Sequence, residues 1–159
     1  MKIVLAAALA LTTASSLTAQ TAQTVTPSAA ADFTYAIPVA GRWTIAAAPD
    51  GSAATFLNAS AIPQLAIRCV RTTRRVSISR AATGAAPFLN VWTSSGNRSV
   101  PAGFDPATQR MTIQLAAYDS LLDALAFSRG RFAVYVSGNP ALVLPAWPEV
   151  ARVIEDCRS

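Results

Sequence analysis

The sequence predicts a mainly β domain, a β-sandwich or partly closed antiparallel barrel, with two short helices near the C-terminus (α+β if the helices are counted). Three observations predict it. Short runs alternate apolar and polar residues with a period of two. Turn-forming residues separate these runs at hairpin spacing. Between Asp119 and Arg158 the pattern turns twice to helical spacing.

The first strands are Arg42–Ala46 and Ala53–Leu57, which flank the turn tripeptide Pro49-Asp50-Gly51. Trp43 and Ile45 share one face of the first run, Arg42 and Thr44 the other. Leu65–Val70 alternates clearly: Leu65, Ile67 and Cys69 point to the core, and Ala66, Arg68 and Val70 away from it. Arg75–Arg80 repeats the pattern, with Val76 and Ile78 inward and Arg75, Ser77 and Ser79 outward. The polar Arg71-Thr72-Thr73-Arg74 joins these two runs at hairpin length. Leu89–Thr93 and Arg98–Pro101 are joined by Ser94-Ser95-Gly96-Asn97, and Arg110–Ala116 sets Met111, Ile113 and Leu115 on one face.

A helix then begins at Ser120, where Leu121, Leu122, Leu125 and Ala126 fall on one side. Asp119 or Ser120 supplies the N-cap oxygen for an orphan N–H, Gly130 is the expected C-cap, and Arg129 suits the negative end of the dipole. Period two returns with Phe132, Val134 and Val136 inward and Arg131, Ala133 and Tyr135 outward. Gly138-Asn139-Pro140 turns this strand into Leu142–Leu144. Pro148 fits the first turn of a last helix, in which Val150, Val153, Ile154 and Cys157 form one apolar stripe.

The beginning of the chain concerns destination. Lys2 followed by the apolar run Ile3–Leu11, with Ala19 as a small cleavage residue, reads as a secretory signal peptide over residues 1–19. The apolar run is too short to span a membrane, and cleavage leaves no transmembrane span. Residues 20–32 are small and polar and read as a flexible leader. Residues 33–159 form the single domain, periplasmic or secreted, of a size that supports one core. Two cysteines after a signal peptide are most simply one disulfide, Cys69–Cys157; a free reactive pair is the alternative.

Composition excludes much chemistry. The chain has no histidine, which removes Ser-His-Asp triads, Cys-His dyads and His-based zinc sites. Lys2 is the only lysine, so all twelve basic residues after the signal peptide are arginines, set against eight acids. Nothing calls for a cofactor or a metal, and the modest charge with few aromatics is not that of a nucleic-acid binder. Carboxylates are the remaining catalytic option. Asp119 and Asp123 share a helix face and could act as an acid/base pair, against the plainer roles of cap and surface charge. Glu155-Asp156 fits pairing with Arg152 or Arg158 better than it fits cation binding.

The leading candidate for a site is the arginine group Arg68, Arg71, Arg74, Arg75 and Arg80. Gathered like charges repel one another and become favourable beside an anion, which a guanidinium grips with two donors. The partners this fits are an anionic envelope glycan, lipopolysaccharide phosphate or an acidic protein; the alternative is solubilising charge on an edge strand. Core packing is the default for Trp43, Trp92 and Trp147, and Trp147 between two prolines is the one expected to reach solvent.

The runs LLDALAFSRGRFAV and LPAWPEVARVIEDCR resemble the C-terminal half of small exported alphaproteobacterial proteins of unassigned function. The signal peptide, short strands and C-terminal cysteine are more distantly similar to invasion-associated locus B proteins and periplasmic lysozyme inhibitors. No Ser-Gly-x-x-Tyr inhibitor loop is present, so the resemblance carries over no inhibitory residue. The expected function is an exported, non-enzymatic binding module. The alternatives are a carboxylate hydrolase acting on envelope glycans, or a hydrolase inhibitor using the loop Pro101–Thr108.

Overall fold

The computed structural model describes residues 31–159; the signal peptide and nearly all of the leader lie outside the described residues. Among the described residues ten strands form two open antiparallel sheets that, with two α-helices, enclose one core, so the fold is mainly β and the sheets do not close into a barrel. The first sheet contains β1 (Gly41–Ala48), β2 (Gly51–Asn58), β3 (Pro63–Val70), β4 (Arg75–Ala81), β7 (Gly103–Asp105) and β8 (Arg110–Ala116), in the order β1-β2-β3-β4-β8-β7. The second contains β5 (Phe88–Thr93), β6 (Gly96–Pro101), β9 (Arg131–Tyr135) and β10 (Leu142–Pro145), in the order β10-β9-β5-β6.

The alternation read from the sequence sets the faces. Trp43, Phe56, Ile67, Ile78 and Ile113 point inward from the first sheet, and Leu89, Val91, Phe132 and Val134 from the second. Trp43 lies opposite Phe56 in the β1–β2 register, with ring centroids 5.4 Å apart, and its indole N–H donates to the carbonyl of Pro145 at 3.0 Å. A buried indole thus has its one donor satisfied, as burial requires.

Helix α1 (Ser120–Ala126) starts at the expected cap: the Asp119 carboxylate accepts the N–H of Leu121 at 2.8 Å. It ends earlier than expected, at Phe127 and not at Gly130. The reason is Ser128, whose Oγ accepts the N–H of Ser94 and donates to the carbonyl of Arg131, which diverts the chain out of the helix. Gly130, with φ +73°, then serves the turn into β9. Helix α2 (Pro148–Asp156) has Pro148 in its first turn and buries Val150, Val153 and Ile154. The disulfide Cys69–Cys157 joins its C-terminal end to the inner face of β3, with Cα atoms 5.4 Å apart.

A second stretch departs from expectation. Pro101–Thr108 is not a protruding loop. After β6 ends at Pro101, a single residue, Ala102, carries the chain into the first sheet, where β7 pairs with β8. Ala102 N–H donates to the Pro87 carbonyl at 3.1 Å, fixing the crossing. The turn that remains is tightened by Asp105, which accepts from Ala107 N and Thr108 Oγ1.

The segment before β1 is draped over the outer face of the second sheet. The Phe33 ring packs edge-on to Trp92 at 6.0 Å and lies 6.1 Å from Tyr135. Arg131 donates to the Ala36 carbonyl, and Val39 N–H donates to Val143 O at 2.8 Å. Ala133 and Val143 are buried although they lie outside the main core cluster.

Candidate functional site

The outer face of the first sheet is open. Register across its strands lines up Thr44, Thr55, Ala66, Ser79 and Thr112 in one row. The next row places Ala53, Arg68, Ser77 and Gln114 side by side, and the one beyond it Val70, Arg75 and Ala116. Apart from Gln114 and the apolar Val70 these side chains are small, hydroxylic or cationic, and all are exposed or half-buried.

Within this face lies a shallow hollow of about 340 Å³, lined by Asp50, Arg68, Val70, Thr73, Arg75, Ser77 and Gln114. Arg68 opposes Ser77, so Arg75 is its diagonal neighbour, about 7–8 Å away at the backbone. Arg68 is anchored by Asp50 at 2.6 Å, and the hydrogen bond from its guanidinium holds the Asp50 carboxyl below the usual carboxylate range. Arg75 is exposed and has no ion pair or side-chain hydrogen bond among the described residues. The hollow therefore offers one uncommitted guanidinium, a second held in place, and neutral partners from Thr73, Ser77 and Gln114.

The five arginines do not act as one group. Arg68 and Arg75 share the hollow. Arg74 stands at its end in the left-handed conformation (φ +48°), held by Ala117 N–H donating to its carbonyl at 2.9 Å. Arg71 turns the other way, its Nε donating to the carbonyl of Asp156 near the end of α2 at 3.2 Å. Arg80 leaves the group altogether, and this corrects the sequence reading. Alternation from Val76 and Ile78 carries position 80 to the inner face, where Arg80 is buried. Its donors go to the carbonyls of Val134 (2.7 Å), Pro140 (3.1 Å) and Ala81 (3.2 Å), and burial pushes its pKa down. No ligand reaches a guanidinium placed there.

The carboxylates are divided among different partners. Asp119 takes Arg98 at 2.8 Å besides capping α1, whereas Asp123 takes Arg158 at 2.7 Å. Glu155 also pairs with Arg158, at 3.0 Å, and Asp156 accepts from Ser52 Oγ at 2.8 Å. Arg158 further lies over the exposed Tyr118 ring, 5.6 Å from its centroid. Among the described residues no three metal-ligating side chains cluster, and no helix is long and apolar enough to cross a membrane.

Thr73, Ser77 and Gln114 were not singled out from sequence. Ser77 has the same strand parity as Arg75, which was a usable signal. Gln114 joins through the β4–β8 pairing, between strands far apart in the chain, and no local signal announces it. Trp147 is partly exposed as expected, at 43%, while Trp43 is core and Trp92 lies under Phe33. Comparison with known proteins finds no matching family model, no matching curated protein and no matching solved structure.

Proposed function

We propose that this protein is an exported, non-enzymatic binding module that holds an anionic envelope component on the outer face of its first sheet. The observation that carries the reading is the hollow around Arg75: an unpaired guanidinium beside Arg68, whose charge is shared with Asp50, on a rigid sheet, with neutral hydrogen-bonding groups from Thr73, Ser77 and Gln114. Phosphate or carboxylate on a glycan satisfies both the charge and the donors. Export is supported by the signal-like N-terminal sequence and by the disulfide, which persists in oxidising compartments. The hydrolase reading gains no comparable support, because Asp119 and Asp123 are each engaged by a different arginine.

The test is retention on immobilised lipopolysaccharide and on the same material after dephosphorylation, across a salt series. Arg75→Ala is expected to weaken retention by about tenfold or more, the scale of one charge-assisted hydrogen bond. Arg68→Ala should weaken it less, since Arg68 is shared with Asp50. Retention indifferent to salt, to dephosphorylation and to both substitutions would reject the proposal.

A further inference from the structure

A second concavity lies between the turn joining β5 to β6 and helix α1. Its main hollow, about 540 Å³, is lined by Ser94, Ser95, Ser120, Asp123, Phe127 and Arg129, with Ala124 at its base. A smaller hollow of about 150 Å³ shares Ser95, Ser120 and Ala124 and continues it toward Arg98. The main volume falls within the range of roughly 300–1,000 Å³ in which small ligands are held.

The walls are clamped to each other. Ser94 N–H donates to Ser128 Oγ at 3.0 Å, and Arg129 N–H donates to Ser94 Oγ at 2.8 Å. Two loops distant in sequence are thereby fixed in one arrangement, which lowers the ordering cost of binding. The Ser94 hydroxyl accepts from Arg129 and keeps its own proton available to donate.

Among the described residues one guanidinium on the groove is left without a carboxylate partner. Asp123 is engaged by Arg158 and Arg98 by Asp119, at 2.7 and 2.8 Å. Arg129 has no carboxylate partner among the described residues. On the same rim the Phe127 ring leaves 76% of its surface in solvent, an apolar face beside three serine hydroxyls.

We propose that this groove binds a single carboxylated sugar, a hexuronate. The C–H face of the pyranose ring lies on Phe127, the ring hydroxyls meet the serines, and the carboxylate takes paired donors from Arg129. A neutral sugar leaves the Arg129 guanidinium without an anionic partner. An acidic peptide leaves most of the hydroxyls without partners. The assignment does not rest on the arginine hollow of the first sheet, with which the groove shares no residue.

Backbone-amide NMR spectra of the oxidised protein, titrated separately with glucuronate, glucose and an acetylated acidic dipeptide, test this. Glucuronate should shift the amides of Ser94, Ser95, Ser120 and Arg129 saturably, and bind at least about tenfold tighter than glucose, as one charge-assisted contact implies. Arg129→Gln should remove that advantage, Arg129→Lys should keep part of it, and Phe127→Ser should weaken both sugars. The methyl ester of glucuronic acid removes the ligand's charge on the unaltered protein and should bind as glucose does. Absence of saturable shifts with glucuronate, equal binding of glucose, shifts confined to the Arg68 and Arg75 face, or tighter binding of the dipeptide would each overturn the proposal.

Discussion

Replacing Arg80 by alanine separates its two readings, inter-sheet tie and anion ligand, by direct measurement. Arg80 belongs to β4 of the first sheet, while the carbonyls of Val134 and Pro140 belong to β9 of the second sheet and to the turn that follows it. The side chain therefore ties one sheet to the other across the core. A hydrogen bond to a charged group contributes about 1.5–3 kcal/mol, and Arg80 makes three bonds to carbonyls. The burial that lowers its pKa offsets part of that gain, leaving about 2–4 kcal/mol. With a urea slope of about 2 kcal/mol/M, Arg80→Ala should lower the unfolding midpoint by about 1–2 M. Arg80→Met refills the space of the aliphatic stem and should lose less. Binding to anionic material, measured well below the new midpoint, should be unchanged by either. A midpoint shift under about 0.3 M, or a loss of binding equal to that of Arg75→Ala, would refute the assignment of Arg80 to the core.

Two further outcomes follow from the same physics. The paired substitution of Cys69 and Cys157 by alanine should cost up to about 4–5 kcal/mol, because the bridge closes a loop of 88 positions in the unfolded chain; comparison of thermal midpoints with and without reductant measures it. Asp119→Ala should cost about 1 kcal/mol at neutral pH through loss of the cap. Burial pushes the Asp119 carboxyl up, but the hydrogen bond from Arg98, the Leu121 N–H and the Arg98 charge together hold it below the usual range. A depressed folded-state pKa contributes stability above the unfolded value of about 3.9 and loses it as pH falls through the folded value. The charge-dependent part of the gap between the two proteins should therefore close as pH drops below about 4 in a urea series, and a gap undiminished near pH 2 would contradict it.

What could be read from sequence was what is local. The inward positions of Leu65, Ile67, Cys69, Val76 and Ile78 follow from alternation alone and are all buried. Asp119 as cap and Pro148 in a first turn follow from backbone chemistry within a few residues. The same parity rule, carried one step further from Ile78, puts Arg80 inside; grouping it by charge with its exposed neighbours overrode a correct period. The crossing at Ala102 was not legible, since what turns Gly103-Phe104-Asp105 into a strand is the partner strand Arg110–Ala116 and not its own composition. In the candidate site Arg68 and Arg75 were legible as outward neighbours. Arg71 was not, because the carbonyl of Asp156 that claims it comes from the far end of the chain.

The two sheets differ in what happens outside them, and that difference selects the site. Ala133 points outward by its position in β9, yet it is buried, and on the same face Phe33 packs against Trp92 and Tyr135. That face carries Trp92 and Tyr135, aromatic surface whose exposure would be costly, and the segment before β1 lies over it. Among the described residues the first sheet carries no such covering: its outer rows are mostly Thr, Ser, Ala, Gln and Arg, with Val70 the one larger apolar side chain among those aligned on β3, β4 and β8. A face left open must be soluble, and a soluble face rich in hydroxyls and guanidinium is also one whose donors match the oxygens of an anionic glycan. The disulfide adds the last element. By fixing α2 to the inner side of β3, it holds rigid the strand whose outer side presents Arg68, so that the hollow around Arg75 is set by the core and not by a loop.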